Sequence, residues 1–449
     1  MEILLFIFTF IFIQCSSVFK LPFYRNNPKL TNINPEDFPL YYFETNYYTN
    51  ITIGSNNQIL PMQLSFKYFH TFATIYNYTG GDYIKFNPDE SSTYTKTYGQ
   101  RAFFDINIKS GINSIESFKL KEINGGLISC NNIEFILGTI PLKNISGELG
   151  LKLSTKDESF NRLLNFGFIN NLYKNKHIEF MVFSIGFFNE NQGEIIIGHK
   201  INNTDEKSYV PVNDEGYSWG FQNFVSYLNG KRINIKSEYA EFQIESNIIN
   251  PVINYVEKIN GTFFEPLLNE SKCIFINNND YFHFYHCDKD INIENFPILT
   301  LYQQNLNYTF ELTSNDLFED IGDRKYFLVN FANNNDKKWI LGKPFLKKYN
   351  FTYNFDSKTV SLFYGLKKED SGNSDTPFNK LWIYIIIALV IIAILIVVII
   401  IIAKKLPRKK RVNELEENFD YKEKNEDNNN EINNKENENQ NKNSLGIDE

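Results

Sequence analysis

Three features of the sequence predict a mostly-β, two-lobed body placed between a secretory signal and a single transmembrane helix. From residue 39 to 364, short runs rich in Ile, Val, Phe, Tyr and Thr alternate with clusters of Asn, Gly, Asp and Ser, the pattern of many strands joined by turns. Helical periodicity is sparse in that stretch, and its strongest instance is 157–172, where Phe160, Leu163, Leu164 and Phe168 share one face. Roughly 325 residues of β structure suit two lobes better than one sandwich.

The chain has 449 residues, and its ends are set apart by composition. Residues 3–13 are apolar except for Thr9, and Cys15, Ser16 and Ser17 follow, so 1–17 reads as a cleaved signal peptide, although Glu2 stands where a basic residue is usual. An N-terminal segment, 18–38, leads into the body. Residues 381–403 carry no charge and exceed the roughly 20 apolar residues that a membrane-spanning helix needs. Lys404, Lys405, Arg408, Lys409, Lys410 and Arg411 crowd the far flank, which orients the chain as a type I single-pass membrane protein of the secretory pathway or cell surface. The tail, 404–449, which beyond Val412 is almost all Asn, Glu, Lys and Asp, is expected to be cytoplasmic and disordered. A polar juxtamembrane linker, 366–380, precedes the span.

Sequons begin at Asn50, Asn77, Asn144, Asn202, Asn260, Asn269, Asn307 and Asn350, all on the luminal side of that topology, so a glycoprotein is expected. The net charge of −8 gives no argument for a nucleic-acid partner. There is no Cys-x-x-Cys pair, and the five histidines are scattered, so neither a metal site nor another cofactor is expected.

Ordered motifs carry a family resemblance. Tyr47-Tyr48-Thr49-Asn50-Ile51-Thr52-Ile53-Gly54 with Gln58 resembles the entry strand of pepsin-like aspartic proteases. Phe86-Asn87-Pro88-Asp89-Glu90-Ser91-Ser92-Thr93-Tyr94 resembles the family's Phe-x-Pro-x-x-Ser-Ser-Thr-Tyr turn, and Gly147-Glu148-Leu149-Gly150-Leu151 is similar to its Gly-Ile-Leu-Gly-Leu. Phe183-Ser184 and Gly193-Glu194-Ile195-Ile196-Ile197-Gly198 follow. Tyr209-Val210-Pro211-Val212 and Trp219 open a second lobe, and Trp339-Ile340-Leu341-Gly342-Lys343-Pro344-Phe345-Leu346 resembles the closing Ile-Leu-Gly-Asp-x-Phe-Leu. The resemblance implies a first lobe over 39–207 and a second over 208–365, flanking a peptide-binding cleft with one aspartate from each lobe at its floor. It also implies a disulfide between Cys273 and Cys287, because Cys287 precedes Phe296-Pro297-Ile298-Leu299 much as a paired cysteine does in the family; Cys130 is left unpaired once Cys15 departs with the signal.

The chemistry of that family needs two carboxylates sharing a proton and a water, each in an Asp-Thr-Gly or Asp-Ser-Gly turn. Counting from Gln58 places Ser65-Phe66-Lys67 at the first turn, and Gln243, or Phe242 if no residue is deleted, at the second. Neither is an aspartate, no catalytic residue can be assigned, and Glu241 and Glu245 are out of register for rescue. The flap that covers the cleft best matches Ile108-Lys109-Ser110-Gly111, which lacks the family's tyrosine, with Tyr98-Gly99 as a rival register. Asp370-Ser371-Gly372 lies in the linker and cannot face a cleft. The expected function is a pseudoprotease that binds a peptide or protein in the interlobe cleft through a monomeric ectodomain. An atypical active endopeptidase and a purely structural surface glycoprotein stand as alternatives.

Overall fold

A computed structural model describes residues 17–25, 46–76, 83–101, 110–139, 146–153, 167–199, 208–209, 218–234, 237–279, 282–332 and 337–363. The expected linker, membrane span and tail, all of the signal before Ser17, and Asn77, Asn144 and Asn202 lie outside them. Among the described residues no helix is long and apolar enough to cross a membrane.

The first half contains β1 (Phe19–Arg25), β2 (Tyr47–Ile53), β3 (Gln58–Ser65), β4 (Phe72–Thr74), β5 (Thr95–Arg101), β6 (Ser110–Lys121), β7 (Leu127–Thr139), β8 (Gly147–Gly150), helix α1 (Phe168–Lys174), β9 (Val182–Asn189) and β10 (Gln192–Ile197). The second contains β11 (Ser208–Tyr209), β12 (Gly220–Leu228), β13 (Lys231–Arg232), β14 (Glu238–Phe242), β15 (Cys273–Asn279), β16 (Phe282–Asp288), β17 (Leu299–Gln303), β18 (Tyr308–Leu312), β19 (Phe318–Ile321), β20 (Arg324–Phe327), β21 (Lys338–Leu341), β22 (Phe351–Asn354) and β23 (Thr359–Leu362). A 13-stranded sheet runs β11-β23-β22-β9-β10-β1-β2-β3-β8-β4-β7-β6-β5 and takes strands from both halves. The second lobe adds a 6-stranded sheet, β18-β17-β12-β14-β21 with β13 beside β12, and a 4-stranded one, β15-β16-β20-β19.

Local pattern explains these strands. In β2, Tyr47, Thr49, Ile51 and Ile53 are buried while Tyr48, Asn50 and Thr52 face outward, the period of two that puts alternate side chains on opposite faces. β1 repeats the pattern and lies between β10 and β2, so residues 19–25, read from sequence as part of a leading segment, are a strand of the main sheet. The expected helix over 157–172 is described only from Phe168, where α1 begins; Phe160, Leu163 and Leu164 lie outside the described residues.

The motifs that are far apart in sequence touch one another in the fold. Gln58 brackets Asn87, donating from Nε2 to its carbonyl oxygen and accepting from its amide, both at 2.7 Å. Asn87 in turn accepts from the Asp89 amide at 3.2 Å and so caps the short turn Pro88–Glu90. Gly54, at φ +82°, leaves room for Ser91 Oγ, which would sit 2.9 Å from any added Cβ. Ser91 Oγ also donates to the buried Glu116 at 2.6 Å.

An aromatic layer joins the lobes. Phe183 stacks on Tyr353 with centroids 4.7 Å apart, Trp219 meets both edge-on, and the Trp219 indole N–H donates to the Leu151 carbonyl oxygen at 2.7 Å. The second lobe has its own aromatic core around Phe221, Phe242, Phe310, Phe345 and Phe351. Cys273 and Cys287 are directly paired across β15 and β16 and form the expected disulfide, while Cys130 is free and buried.

Candidate interlobe site

Each lobe places one loop at the floor between them by the same device. In the first, β3 runs parallel to β8, with Leu64 opposite Leu149 and Ser65 opposite Gly150. In the second, β14 runs parallel to β21, and Phe242 opposite Leu341 takes the place of Leu64 opposite Leu149. Gln243 follows Phe242 as Ser65 follows Leu64, so the register puts Gln243, not Phe242, at the position matching Ser65. Phe242 is instead core, packed on Phe345 and Phe351.

A glycine holds each loop from behind. A Cβ on Gly150 would collide with the carbonyl oxygens of Phe69 and His70, and one on Gly342 with those of Ser246 and Ile248. Both collisions are with backbone, which cannot swing away. The loops themselves need no left-handed residue, because none of residues 65–67 or 243–245 has a positive φ. Lys67 and Glu245 are therefore tolerated where the family turn carries glycine.

The floor chemistry differs from the family's at every position. Ser65 is 1 % exposed, and its Oγ accepts from the amides of Lys67 at 3.2 Å and Tyr68 at 3.3 Å, which closes its own loop. Phe66 is 3 % exposed and enters the aromatic layer, 5.0 Å from Tyr353 and 6.2 Å from Phe183 between centroids. Gln243 donates its side-chain amide to Glu241 at 3.3 Å, and Glu241 is itself paired with Lys338 at 2.5 Å.

Glu245 is what sequence reasoning set aside. It crosses the floor, and its Oε2 accepts from the Phe66 amide of the other lobe at 3.2 Å. The residue is half-buried, but Oε1 is sealed from solvent and takes no hydrogen bond among the described residues. Burial pushes its carboxyl up to about 7, with Glu148 on β8 adding like-charge repulsion and the amides of Phe66, Lys67 and Glu245 pulling the other way. Spacing gave no hint of this contact, since it depends on the reach of a long side chain between two lobes.

Behind the second loop stands Lys343, where the resemblance leads one to expect aspartate. Its amide donates to the Ser246 carbonyl oxygen at 2.7 Å, and its Nζ, buried and lacking a hydrogen bond among the described residues, lies 5.8 Å from the centre of the Tyr47 ring. Burial, and then Arg25, lowers it to about 7, against the opposing pull of Glu319 and Glu190.

The remaining expected site residues are dispersed. β5 and β6 form a hairpin in which Arg101 pairs with Ile112, and its tip, including Ile108, lies outside the described residues. Gly111 sits on the returning strand opposite Gly138 of β7. Asn50, Asn269 and Asn307 are exposed; Asn260 and Asn350 are half-buried and accept from Tyr285 Oη and the Phe187 amide at 3.1 Å each. Among the described residues no group of three or more His, Cys, Asp or Glu could hold a metal ion.

Comparison with known proteins agrees with this architecture. The family described as eukaryotic aspartyl protease matches residues 46–363. Among solved structures, basic 7S globulin from soybean superposes with a TM-score of 0.56 at 11% identity, covering 77% of this chain and 95% of that one. That likeness is one of fold. No curated protein matches the sequence.

Proposed function

The chain belongs to the eukaryotic aspartyl protease family, and from that premise we propose that it is a membrane-anchored member without the family's catalysis, using the interlobe floor to bind a peptide or protein. The observation that carries this reading is the state of the two floor positions. Water activation needs paired carboxyls, and here Ser65 closes its own loop while Gln243 turns to Glu241. A serine hydroxyl has no acidic proton near neutral pH, and no described base activates it. Meanwhile the parallel strand pairs and the two backing glycines that shape the floor are intact. Membrane anchoring rests on residues 381–403 and the basic flank after them.

One observation favours a second reading, an atypical active endopeptidase. Glu148 acts on Glu245 as a like charge, and burial raises the Glu245 carboxyl toward the range in which a general acid works. Both readings are tested by incubating the purified full-length chain with a peptide library between about pH 3 and pH 7, where carboxyl catalysts titrate. Saturable binding with no cleavage is the expected outcome. Turnover abolished by pepstatin would establish the active peptidase instead, and neither turnover nor binding would leave a structural glycoprotein.

A further inference from the structure

We propose that Asn50 is an N-glycosylation site whose first sugar lies on Tyr24 and Tyr48, so that a glycan covers the outer face of the central sheet. This rests on the membrane-anchored, luminal reading above and goes beyond it by giving one sequon a structural task.

The face is formed by β1, β2, β9 and β10. Alternation turns Phe19, Leu21 and Phe23 of β1 inward and Lys20, Pro22 and Tyr24 outward, and β2 does the same with Tyr48, Asn50 and Thr52. Across these four strands the outward positions hold two charges, Lys20 and Glu194, and these pair with each other. Pro22 lies opposite Glu194, and Glu194 opposite Gly186, which puts exposed Phe188 of β9 on the same side. A surface with so little charge and with exposed apolar side chains marks a place that something covers.

Asn50 stands within that face and is exposed. Because its sequon is read along a strand, Asn50 and Thr52 point the same way while Ile51 enters the core. Tyr24 Oη donates to Asn50 Oδ1 at 2.9 Å, and Nδ2, the atom that carries an N-glycan, makes no hydrogen bond among the described residues. In the transfer Nδ2 loses one proton and bonds to the anomeric carbon of a sugar, whose bond to the pyrophosphate of a lipid-linked oligosaccharide breaks; the lipid pyrophosphate leaves with the electron pair. Oδ1 takes no part, so the Tyr24 bond survives and orients the amide that holds the sugar.

The sugar therefore emerges beside two rings. Tyr48 is two residues back on the same face, and Tyr24 is its cross-strand partner, with centroids 6.4 Å apart. One side of a pyranose ring presents C–H groups, which pack on the electron-rich face of an aromatic ring. The other described sequons lack this setting: Asn260 and Asn350 are half-buried, Asn269 ends a short helix, and Asn307 sits in the turn between β17 and β18.

The test uses the full-length chain made in a eukaryotic secretory host. Peptide mass mapping should find a glycan on Asn50. Thr52→Val ends the sequon while keeping Asn50, its Tyr24 bond and a β-branched residue in the strand, and it should lower the melting temperature by about 2 °C. In a Tyr48→Ala chain, which keeps the sequon but loses a ring, Thr52→Val should produce no further fall. Glycans on other sequons with Asn50 bare overturn the site while leaving the luminal reading in place. An occupied Asn50 with an unshifted Thr52→Val, or the same shift with and without the Tyr48 ring, overturns the cover. If either variant fails to fold, oxidative labelling of Tyr24 and Tyr48 in the parent before and after enzymatic deglycosylation decides: increased labelling supports the cover, and unchanged labelling overturns it. No glycan at any sequon removes the luminal reading and the site together.

Discussion

The first floor loop turns its polar side chain inward onto its own amides, whereas the second sends one outward to the opposite lobe. Both hang from the same arrangement, a parallel strand pair with a glycine pressed against two carbonyl oxygens. Backbone geometry is thus shared where chemistry has diverged. The difference teaches that this fold is specified behind the floor, by Gly150 and Gly342 and the strands carrying them. The floor residues can change identity because neither loop uses a positive φ.

The sharpest way to break this comparison is at the residue beside Ser65. Phe66→Ala removes a ring buried against Phe183 and Tyr353 and should cost about 3–5 kcal/mol in urea unfolding, more than Ile244→Ala at the corresponding place in the second loop. Equal losses at the two positions would mean that the aromatic layer does not favour the first loop.

Next in size are the glycines. Gly150→Ala and Gly342→Ala should each destabilise by about 1–3 kcal/mol, and by similar amounts, because each forces a Cβ onto backbone carbonyls. A variant that melts like the parent at one position only would show that the two cradles are not equivalent.

A pH titration reads the asymmetry of Glu245 directly. Its folded carboxyl titrates at about 7, above the ordinary 4.5, so between those values the folded chain keeps a proton that the unfolded chain has released. Stability from this group is greatest below about 4.5, falls as pH rises through the window, and is lost above about 7. The melting temperature of the parent should accordingly fall relative to Glu245→Gln from pH 4.5 to 7, and parallel curves would exclude a buried titrating carboxyl.

The smallest effects belong to the two positions that the family fills with aspartate. Ser65→Ala should cost about 1 kcal/mol, through the two loop amides it leaves unpaired. Gln243→Ala, which loses one bond to Glu241, should stay within about 0.5 kcal/mol of the parent. Chemical denaturation of both variants separates them, and a reversed order would place the structural burden on the second loop.

What could be read from sequence was the part fixed by local backbone demands. The 47–54, 86–94 and 147–151 motifs were legible because Gly54, Asn87, Ser91 and Gly150 each answer a turn, a cap or a close approach. The Cys273–Cys287 pair was legible through its place before the 296–299 run. Glu245 was not, because no period or spacing encodes which side chain spans a gap between lobes. The burial of Lys343 was equally hidden, since a cation next to Gly342 reads as surface until the packing around Tyr47 is known.

The position of β1 has a consequence for how the chain is made. It is the first described strand to leave the ribosome, yet one of its neighbours in the sheet is β10. At about 5–20 residues per second, roughly 10–30 s separate the two during synthesis. The sheet is completed later still, when β22 docks on β9 and β23 on β22. The central sheet cannot close before residues 351–362 have been made, so until then the newborn first lobe waits with an open edge at β9.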